Sequence, residues 1–500
     1  MAMTKTRKLL PLVVLSMASA SLNAQNATIR APGDEADREI PEETVPEGQI
    51  VPVAEEGIDA AEDMSVPEAD DVDSLVSEFA LFKQLMEDRV FDEADTVAKR
   101  VVELAIRTQG AKSNELAKAL TNLAIVQHQT GEYEAAQQNF ETAIEIIEDN
   151  EDRLNAQLVN PLKGLGAAQL EGGRPDLALQ TFGRAVHVTH VNEGPHNLDQ
   201  IDLLESLAET NLRMGEIDEA REVQDTIYAL NVRKHSIDQL GLVPPLMRRA
   251  AWQHRAGFIF DERTTYRRVI RIIEMNKDKE DLALIKPLLK LGTSYFFVDT
   301  SGTEGYQDTR MATGEIYFKR AVRIAEENPE ADWQAVVQTS LALGDFYMHM
   351  GNSQRGRQAY LDVWELLSKN EDPTRLDVRR EQLESIVPLN RHSLPEYIDP
   401  DDANADAGLQ SDDPLLRGSI TMTYDISSRG RTTDLKLIEA NPPEFTNMQR
   451  TMQRELRRRI FRPRFENAVP VATPGQTLTH TYYYRQSDLD AITAAEAAKK

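Results

Sequence analysis

The sequence contains no cysteine, and aromatic residues make up only 6% of it. The absence of cysteine excludes disulfide bonds, thiol catalysis and thiolate metal sites. After the first 24 residues no apolar run approaches the ~20 residues that a membrane-spanning helix needs. The 500 residues suffice for two or more domains, whose folded parts must be stabilised by burial of apolar side chains.

The chain also lacks an overall positive charge. Its formal net charge is −27, so nucleic acid is not an expected partner, because binding to phosphates requires a basic face. The charge is unevenly distributed: residues 411–485 contain 12 Lys/Arg and 8 Asp/Glu residues, a net charge of +4. This difference separates a C-terminal domain from the acidic remainder.

Residues 1–24 have the features of a secretory signal peptide. Three basic residues lie within positions 5–8, an apolar stretch covers positions 9–15, and small residues form a cleavage site at positions 21–24. We expect cleavage, export to the periplasm and a mature chain without a membrane span. The alternative is an uncleaved segment that anchors the chain in the inner membrane.

Two acidic segments are predicted to be linkers. Residues 25–74 contain many Asp and Glu residues, five prolines and no aromatic residue, so they cannot bury enough apolar surface to offset their ordering entropy. We expect a disordered tether there. Residues 396–413 form the second acidic linker.

A small residue recurs at intervals of 42 residues, at Ala124, Gly166, Ala208, Ala250 and Gly292. In the first four copies a glycine follows seven residues later, as Gly131 does. Phe82 lies one step earlier in the chain. Gly344 lies one step later after ten additional residues, so seven copies share one frame.

This spacing has a physical explanation. The small residue lets two helices approach closely, and the glycine permits a tight turn between them. An alanine and an aromatic residue of the second helix, such as Ala136 and Phe140, then fill the seam against the next hairpin. Because one hairpin cannot bury its apolar face alone, the hairpins stack. The sequence therefore predicts a mostly α-helical protein, with an α-solenoid of about seven helical hairpins over residues 75–370.

The repeated phrases resemble those of the tetratricopeptide repeat (TPR) family. Leu-Gly/Ala, Gly-x-Tyr and Ala-x-x-x-Phe-x-x-Ala recur in register over about 300 residues. The usual TPR period is ~34 residues. The period of 42 and the loop Gly194-Pro195-His196-Asn197 resemble the kinesin-light-chain-like subclass. The resemblance implies a concave groove that binds protein partners.

Two features depart from the repeat pattern, and a capping helix is predicted to follow it. Glu262 stands where alanine is expected, which predicts a looser seam in the fifth repeat. The ten extra residues of the sixth repeat fall within positions 299–312, either as a loop over the groove or as a neutral insertion. Residues 371–395 are predicted to contain a capping helix, over positions 374–387.

From residue 414 to 485 the pattern predicts a small α+β domain of order β-β-α-β, followed by a tail at residues 486–500. Apolar residues alternate over positions 420–426, and a second strand follows at positions 433–439. Apolar residues at helical spacing cover positions 445–460, and a final strand covers positions 477–485.

This domain resembles the C-terminal domain of TonB. The matching phrases are the strand over positions 418–426, the turn at Gly430-Arg431, Leu435-x-Leu437, the segment Ile460-Phe461-Arg462-Pro463 and the closing strand. The sequence Ala468-Val469-Pro470-Val471 replaces the usual Asn-Gly-x-Pro-Val turn. About 75 residues are covered.

The TonB resemblance implies capture of a short peptide by strand addition; in TonB this peptide belongs to an outer-membrane receptor. Backbone hydrogen bonds would supply affinity and alternating side chains specificity. The alternative is an edge that is covered by a linker or a second copy. The implied edge residues are Thr477, Leu478, Thr479, His480, Thr481, Tyr482, Tyr483, Tyr484 and Arg485.

Projection of the repeat frame predicts which first-helix side chains line the groove. The projected residues are Thr121, Ile125, His128, Lys163, Glu205, Glu209, Arg213, Met247, Arg255, Phe296, Asp345 and His349. Such a mixed lining suits a peptide or a helix of a protein partner.

Other signals do not indicate catalysis. Five arginines at positions 457–459, 462 and 464 form a basic run, interpreted mainly as a solvated helix face. His187 and His190 lie three residues apart, but no third metal ligand accompanies them. We find no His-Glu-x-x-His, phosphate-binding loop or Gly-x-Ser-x-Gly motif, and predict neither enzyme activity nor a cofactor.

Taken together, the sequence predicts a non-enzymatic periplasmic adaptor that binds protein partners in the cell envelope. The alternative is an inner-membrane-anchored, TonB-type energy transducer in transmembrane transport. The absence of histidine from positions 1–24 counts against that alternative.

Overall fold

The computed structural model describes residues 69–296, 314–369, 372–389 and 415–497. The signal peptide predicted at 1–24, the insertion at 299–312, the linker at 396–413 and most of the linker at 25–74 lie outside these residues. The first described helix begins at Ala69. The first linker, predicted over residues 25–74, is therefore six residues too long at its C-terminal end.

The described residues divide into two compact units, at residues 69–237 and 238–497. The first unit contains four hairpins, formed by α1 (Ala69–Glu87), α2 (Phe91–Gln109), α3 (Asn114–Gln129), α4 (Tyr133–Asn150), α5 (Val159–Glu171), α6 (Pro175–Glu193), α7 (Ile201–Met214) and α8 (Ile217–His235). The second unit adds three hairpins, formed by α9 (Val243–Arg255), α10 (Ile259–Asn276), α11 (Ile285–Ser294), α12 (Glu315–Glu327), α13 (Trp333–His349) and α14 (Ser353–Leu367). The predicted mostly helical fold of stacked hairpins is confirmed.

In three hairpins the glycine of the first helix lies under an aromatic residue of the second. A Cβ atom added to Gly166 would lie 2.7 Å from the ring of Phe182, and one added to Gly344 would lie 2.5 Å from the ring of Tyr360. Both rings are fully buried. The close approach of two helices inside a hairpin therefore depends on the missing side chain.

The same contact locates the extra residues of the sixth hairpin. A Cβ atom on Gly292 would lie 2.7 Å from the ring of Phe318. These residues are 26 positions apart, whereas Gly166 and Phe182 are 16 apart. The ten extra residues therefore lie between α11 and α12, and the hairpin keeps its internal packing.

An asparagine at the end of the second helix recurs with the repeat. Asn150 Nδ2 donates to the carbonyl of Lys112 at 2.6 Å, and Asn192 Nδ2 donates to that of Leu154 at 2.7 Å. In the second unit Asn276 and Asn328 donate in the same way to Asp238 and Glu280. Each bond links a hairpin to the loop that precedes it. Lys234 occupies the equivalent place in the fourth hairpin.

Glu262, which is predicted to loosen the seam of the fifth repeat, is tightly enclosed in the structure. Its side chain is buried, and His254 Nδ1 lies 3.0 Å from Glu262 Oε2. Next to this pair, Thr265 Oγ1 donates to Gln253 Oε1 at 2.8 Å. Paired polar groups fill the place of alanine, because a buried carboxylate is tolerated when it is hydrogen-bonded.

The C-terminal domain contains antiparallel strands and one packed helix. The elements are β1 (Val387–Pro388), β2 (Leu415–Ile426), β3 (Thr432–Asn441), α16 (Thr446–Arg458), β4 (Phe461–Arg462), β5 (Arg464–Glu466), β6 (Val469–Val471) and β7 (Thr473–Arg485). The main sheet has the order β3-β2-β7, and two short pairs join β1 with β4 and β5 with β6. The predicted α+β character is confirmed.

Two predicted segments differ from the structure. The capping helix is short: α15 (Pro373–Gln382) ends well before Val387, which lies in a strand, and no residue of α15 is buried. The predicted tail contains a helix, α17 (Gln486–Ala497). Among the described residues, no helix is both long and apolar enough to cross a membrane.

Candidate partner-binding surfaces

The first helices of successive hairpins lie next to each other within each unit. In the first unit α3 contacts α5, and α5 contacts α7; in the second unit α11 contacts α13. The first helices therefore form one face of each stack, which we call its inner side. The predicted groove residues all lie on or directly after these helices.

Four predicted groove residues are buried and do not form an open surface. They are Thr121, Ile125, His128 and Lys163. The Thr121 hydroxyl donates to the carbonyl of Ala117 at 2.8 Å. Lys163 Nζ lies 3.4 Å from Asp202 Oδ2. Their assignment to the groove lining is corrected, because neighbouring helices pack over these positions.

An ionic cluster lies at the ends of α5 and α7. Arg213 Nη2 donates to Glu171 Oε1 at 2.8 Å, and Arg213 Nε donates to Glu209 Oε1 at 3.1 Å. Burial by itself lowers the pKa of Arg213, but the hydrogen bond and charge of Glu171 raise it above its usual value. Glu205 is half-buried on the same helix. The repeat frame predicted Arg213, Glu209 and Glu205 but missed Glu171, which lies one repeat before Arg213.

In the second unit the predicted residues have different surroundings. Arg255 is exposed and Met247 is half-buried. Phe296 stacks on His349, with ring centroids 4.3 Å apart and planes 13° apart. His349 Nε2 lies 3.3 Å from the carbonyl oxygen of Leu389. The aromatic pair therefore joins α13 to the segment that enters the C-terminal domain.

The carboxylate of Asp345 accepts hydrogen bonds from other side chains of the protein. Arg462 Nη2 and Nε donate to its two carboxylate oxygens at 2.7 and 3.1 Å, and the Tyr360 hydroxyl donates to Oδ1 at 2.7 Å. Arg462 Nη1 donates to both the backbone carbonyl and the side-chain oxygen of Gln382. Asp345 is therefore not an open groove residue, and Arg462 is not part of a solvated helix face.

The electrostatics of this cluster favour the ionised pair. Burial by itself lowers the pKa of Arg462, but the charge of Asp345 and the hydrogen bonds to it raise that pKa above its usual value. Burial and the same carboxylate raise the pKa of Tyr360 well above 10. Both side chains therefore act as hydrogen-bond donors at neutral pH.

β7 is an edge strand with a regular register. It pairs with β2 without interruption from Leu415↔Arg485 to Tyr424↔Gln476, and within the described residues no strand pairs with its other side. Tyr482 is buried, whereas Thr477 and Thr479 are exposed on the opposite face. The predicted edge residues all lie within this strand.

The other edge of the sheet is less regular. The pairing of β2 with β3 shifts between Thr421 and Met422 and again between Thr423 and Asp425. Asp434 has a φ angle of 48°. Because bulges and strained residues interrupt the row of backbone groups, β3 is the poorer template for an added strand.

The described residues contain no group of three or more His, Asp or Glu side chains that could hold a metal ion. His187 is exposed on α6, and His190 hydrogen-bonds to the side chain of Gln200.

The hairpins define a helical-repeat protein, and comparison with known families gives the class of repeat. Residues 74–149 match the tetratricopeptide repeat model. The hairpins of this segment are therefore tetratricopeptide repeats, which typically form non-enzymatic scaffolds for protein–protein interaction. No curated protein matches the chain.

Several solved structures are similar to the chain. A Podosopora anserina protein described as a kinesin light chain with nearly identical TPR-like repeats is 15% identical, covers 43% of this chain and 99% of its own, and has a TM-score of 0.38. The C-terminal part of a TPR repeat-containing protein from Cytophaga hutchinsonii is 11% identical. The match covers 60% of this chain and 98% of that chain, with a TM-score of 0.38. A TPR protein from Parabacteroides merdae is 14% identical. The match covers 62% of this chain and 99% of that chain, with a TM-score of 0.35.

Proposed function

We propose that this protein is a non-enzymatic periplasmic adaptor. Its repeats hold one protein of the cell envelope, and β7 of the C-terminal domain binds an extended peptide of another. By the TonB resemblance, that peptide belongs to an outer-membrane TonB-dependent receptor. The observation that carries the proposal is the regular edge of β7, which runs opposite ten consecutive residues of β2.

Strand addition suits this edge for a physical reason. An edge strand offers unpaired backbone groups, and a partner strand satisfies them while its alternating side chains contact the two faces of the sheet. On β7 one face presents Thr477 and Thr479, and the other presents the side chains that cover α16. The added strand would extend the sheet beyond β7.

The proposal is tested with peptides that match the periplasmic N-terminal segments of outer-membrane receptors. Binding to the whole chain is measured by fluorescence anisotropy, for the wild type, Thr481→Pro and Thr481→Val. Proline removes a backbone donor and should abolish binding, whereas valine keeps the donor and should bind as the wild type does. Equal binding of all three would exclude this edge. Circular dichroism checks that the proline variant retains its sheet.

Partner binding by the repeats is tested separately. Arg213→Glu reverses the charge at the centre of the ionic cluster and should release a partner held on the inner side of the first unit. Lys112→Glu, an exposed change in the loop between α2 and α3, is the matched control. Retention of envelope proteins by the two variants is compared by quantitative mass spectrometry. Equal retention would exclude this part of the inner side.

The second candidate function is an inner-membrane-anchored energy transducer, and it rests on the same TonB resemblance. It differs in the fate of residues 1–24. Two measurements distinguish the proposals: the first residue of the native protein, and the cell fraction in which the protein is found. A mature chain that begins near residue 25 in the periplasmic fraction supports the adaptor. An intact N-terminus in the inner membrane supports the transducer.

A further inference from the structure

Among the residues that the structure describes, no further hairpin follows the seventh to cover its second helix. In the sixth hairpin, Phe318 of α12 packs against Phe346 of the next first helix, with ring centroids 5.3 Å apart. Tyr360 is the equivalent residue of α14 and is fully buried. Some other element must therefore cover α14, because the last unit of a repeat array needs a cap.

The short helix α15 does not supply this cover by itself. None of its residues is buried. Leu383, directly after its end, is buried in the core around α14, and Val378 of α15 packs against that core while remaining partly exposed. The predicted cap is therefore insufficient.

The C-terminal domain supplies the missing apolar surface. Phe465 is fully buried, and its ring centroid lies 6.1 Å from that of Tyr360 and 6.2 Å from that of Trp364. Ile460 lies in the same core, which also contains Val363 and other residues of α13 and α14. Phe465 thus occupies the role that Phe346 has for the preceding hairpin.

Backbone contacts hold this arrangement in register. The Phe465 N–H donates to the carbonyl of Leu383 at 2.7 Å, and the Leu389 N–H donates to that of Ile460 at 2.8 Å. The turn between β2 and β3 also approaches α13. A Cβ atom on Gly430 would lie 2.9 Å from Met348 Cε.

We infer that the C-terminal α+β domain is the cap of the repeat array, so that it and the seventh hairpin fold and unfold as one unit. This role is separate from partner binding at β7. The apolar core shared by α13, α14 and β5 provides the stability, and the Asp345–Arg462 pair provides the orientation, because a buried ion pair penalises any docking that separates its charges.

The inference is tested by hydrogen exchange and mass spectrometry on the whole chain. Phe465→Ala removes the ring that covers α14. Exchange should become at least tenfold faster in α13 and α14 as well as in β2 and β7, while α3 to α6 keep their rates. Leu437→Ala, on an exposed position of β3 in the same domain, is the matched control and should leave α13 and α14 unchanged.

Two results would overturn the inference. In one, β2 and β7 exchange faster in Phe465→Ala while α13 and α14 keep their protection, which would make the domain an independent unit. In the other, Phe465→Ala exchanges as the wild type does throughout. If Phe465→Ala does not fold, Phe465→Leu is measured in its place. This variant keeps part of the apolar contact, and the same four elements are compared.

Discussion

The guanidinium of Arg462 contacts the carboxylate of Asp345 through two hydrogen bonds, of 2.7 and 3.1 Å, although the residues are 117 positions apart. Asp345 belongs to the last repeat hairpin and Arg462 to the C-terminal domain. The Arg462 side chain retains 6% of its exposure and that of Asp345 24%. The pair is therefore largely removed from water, and the loss of either member leaves a charge without its partner.

Removal of Arg462 alone should be strongly destabilising. Arg462→Ala leaves the carboxylate of Asp345 without its main partner, which costs about 3–5 kcal/mol for a buried pair. The double variant Asp345→Leu/Arg462→Met should recover much of this loss, because no charge is then left uncompensated. Urea unfolding of the three proteins measures both effects. A double variant that is less stable than Arg462→Ala would contradict this explanation.

Alanine should have opposite effects at two glycines of the third hairpin. Gly166→Ala places a Cβ atom 2.7 Å from the ring of Phe182 and should cost about 1–3 kcal/mol through overpacking. Gly183 lies on α6 with no atom within 4 Å of an added Cβ. Gly183→Ala should therefore stabilise the protein by about 0.5–1 kcal/mol. Thermal unfolding of both variants tests the prediction, which fails if the two shifts have the same sign.

The recurring asparagine should stabilise the connection between hairpins. Asn192→Ala removes bonds to the carbonyls of Leu154 and Val188 and should cost about 1 kcal/mol of unfolding free energy. Lys234 occupies the equivalent place in the fourth hairpin. Lys234→Asn should therefore raise the unfolding free energy, by less than Asn192→Ala lowers it. Hydrogen exchange in α6 and α8 locates the two effects. Asn139→Ala, which loses a bond inside one hairpin, serves as the comparison.

Buried His128 should make the first unit sensitive to acid. Burial lowers the pKa of His128 below its usual value near 6.5, although the charge of Glu171 opposes this shift. Below pH 6.5 the unfolded chain therefore binds a proton that the folded chain does not yet bind, and stability falls as the pH falls. His128→Gln removes this contribution. Urea unfolding at pH 7.5 and pH 5.5 should show a larger acid-induced loss for the wild type than for the variant.

Part of the fold was predictable because it rests on local, repeated contacts. The 42-residue spacing of Ala124, Gly166 and Ala208 predicted where two helices pack closely, and the structure places all three positions in buried seams. The asparagines at positions 150, 192 and 276 follow the same spacing and could have been found from it. Their bonds reach back 38 residues to a preceding loop, which a search for apolar periodicity does not detect.

The groove was harder to predict. The repeat frame identifies the helix face of Thr121 and Lys163, but it does not show how far the neighbouring helices cover that face. Both residues are buried. Glu205 is the equivalent residue one repeat later and is half-buried, whereas Arg213 lies at the surface near the C-terminal end of the same helix.

The sequence by itself determined the hairpins, their period and the alternation that forms the C-terminal sheet. These features follow from side-chain size and spacing along one or two adjacent helices or strands. The tertiary structure alone decided that Arg462 binds Asp345 and that Phe465 covers Tyr360. Those contacts join residues about a hundred positions apart, and no local pattern encodes them. They form because the last hairpin leaves an apolar face that burial against the C-terminal domain removes from water.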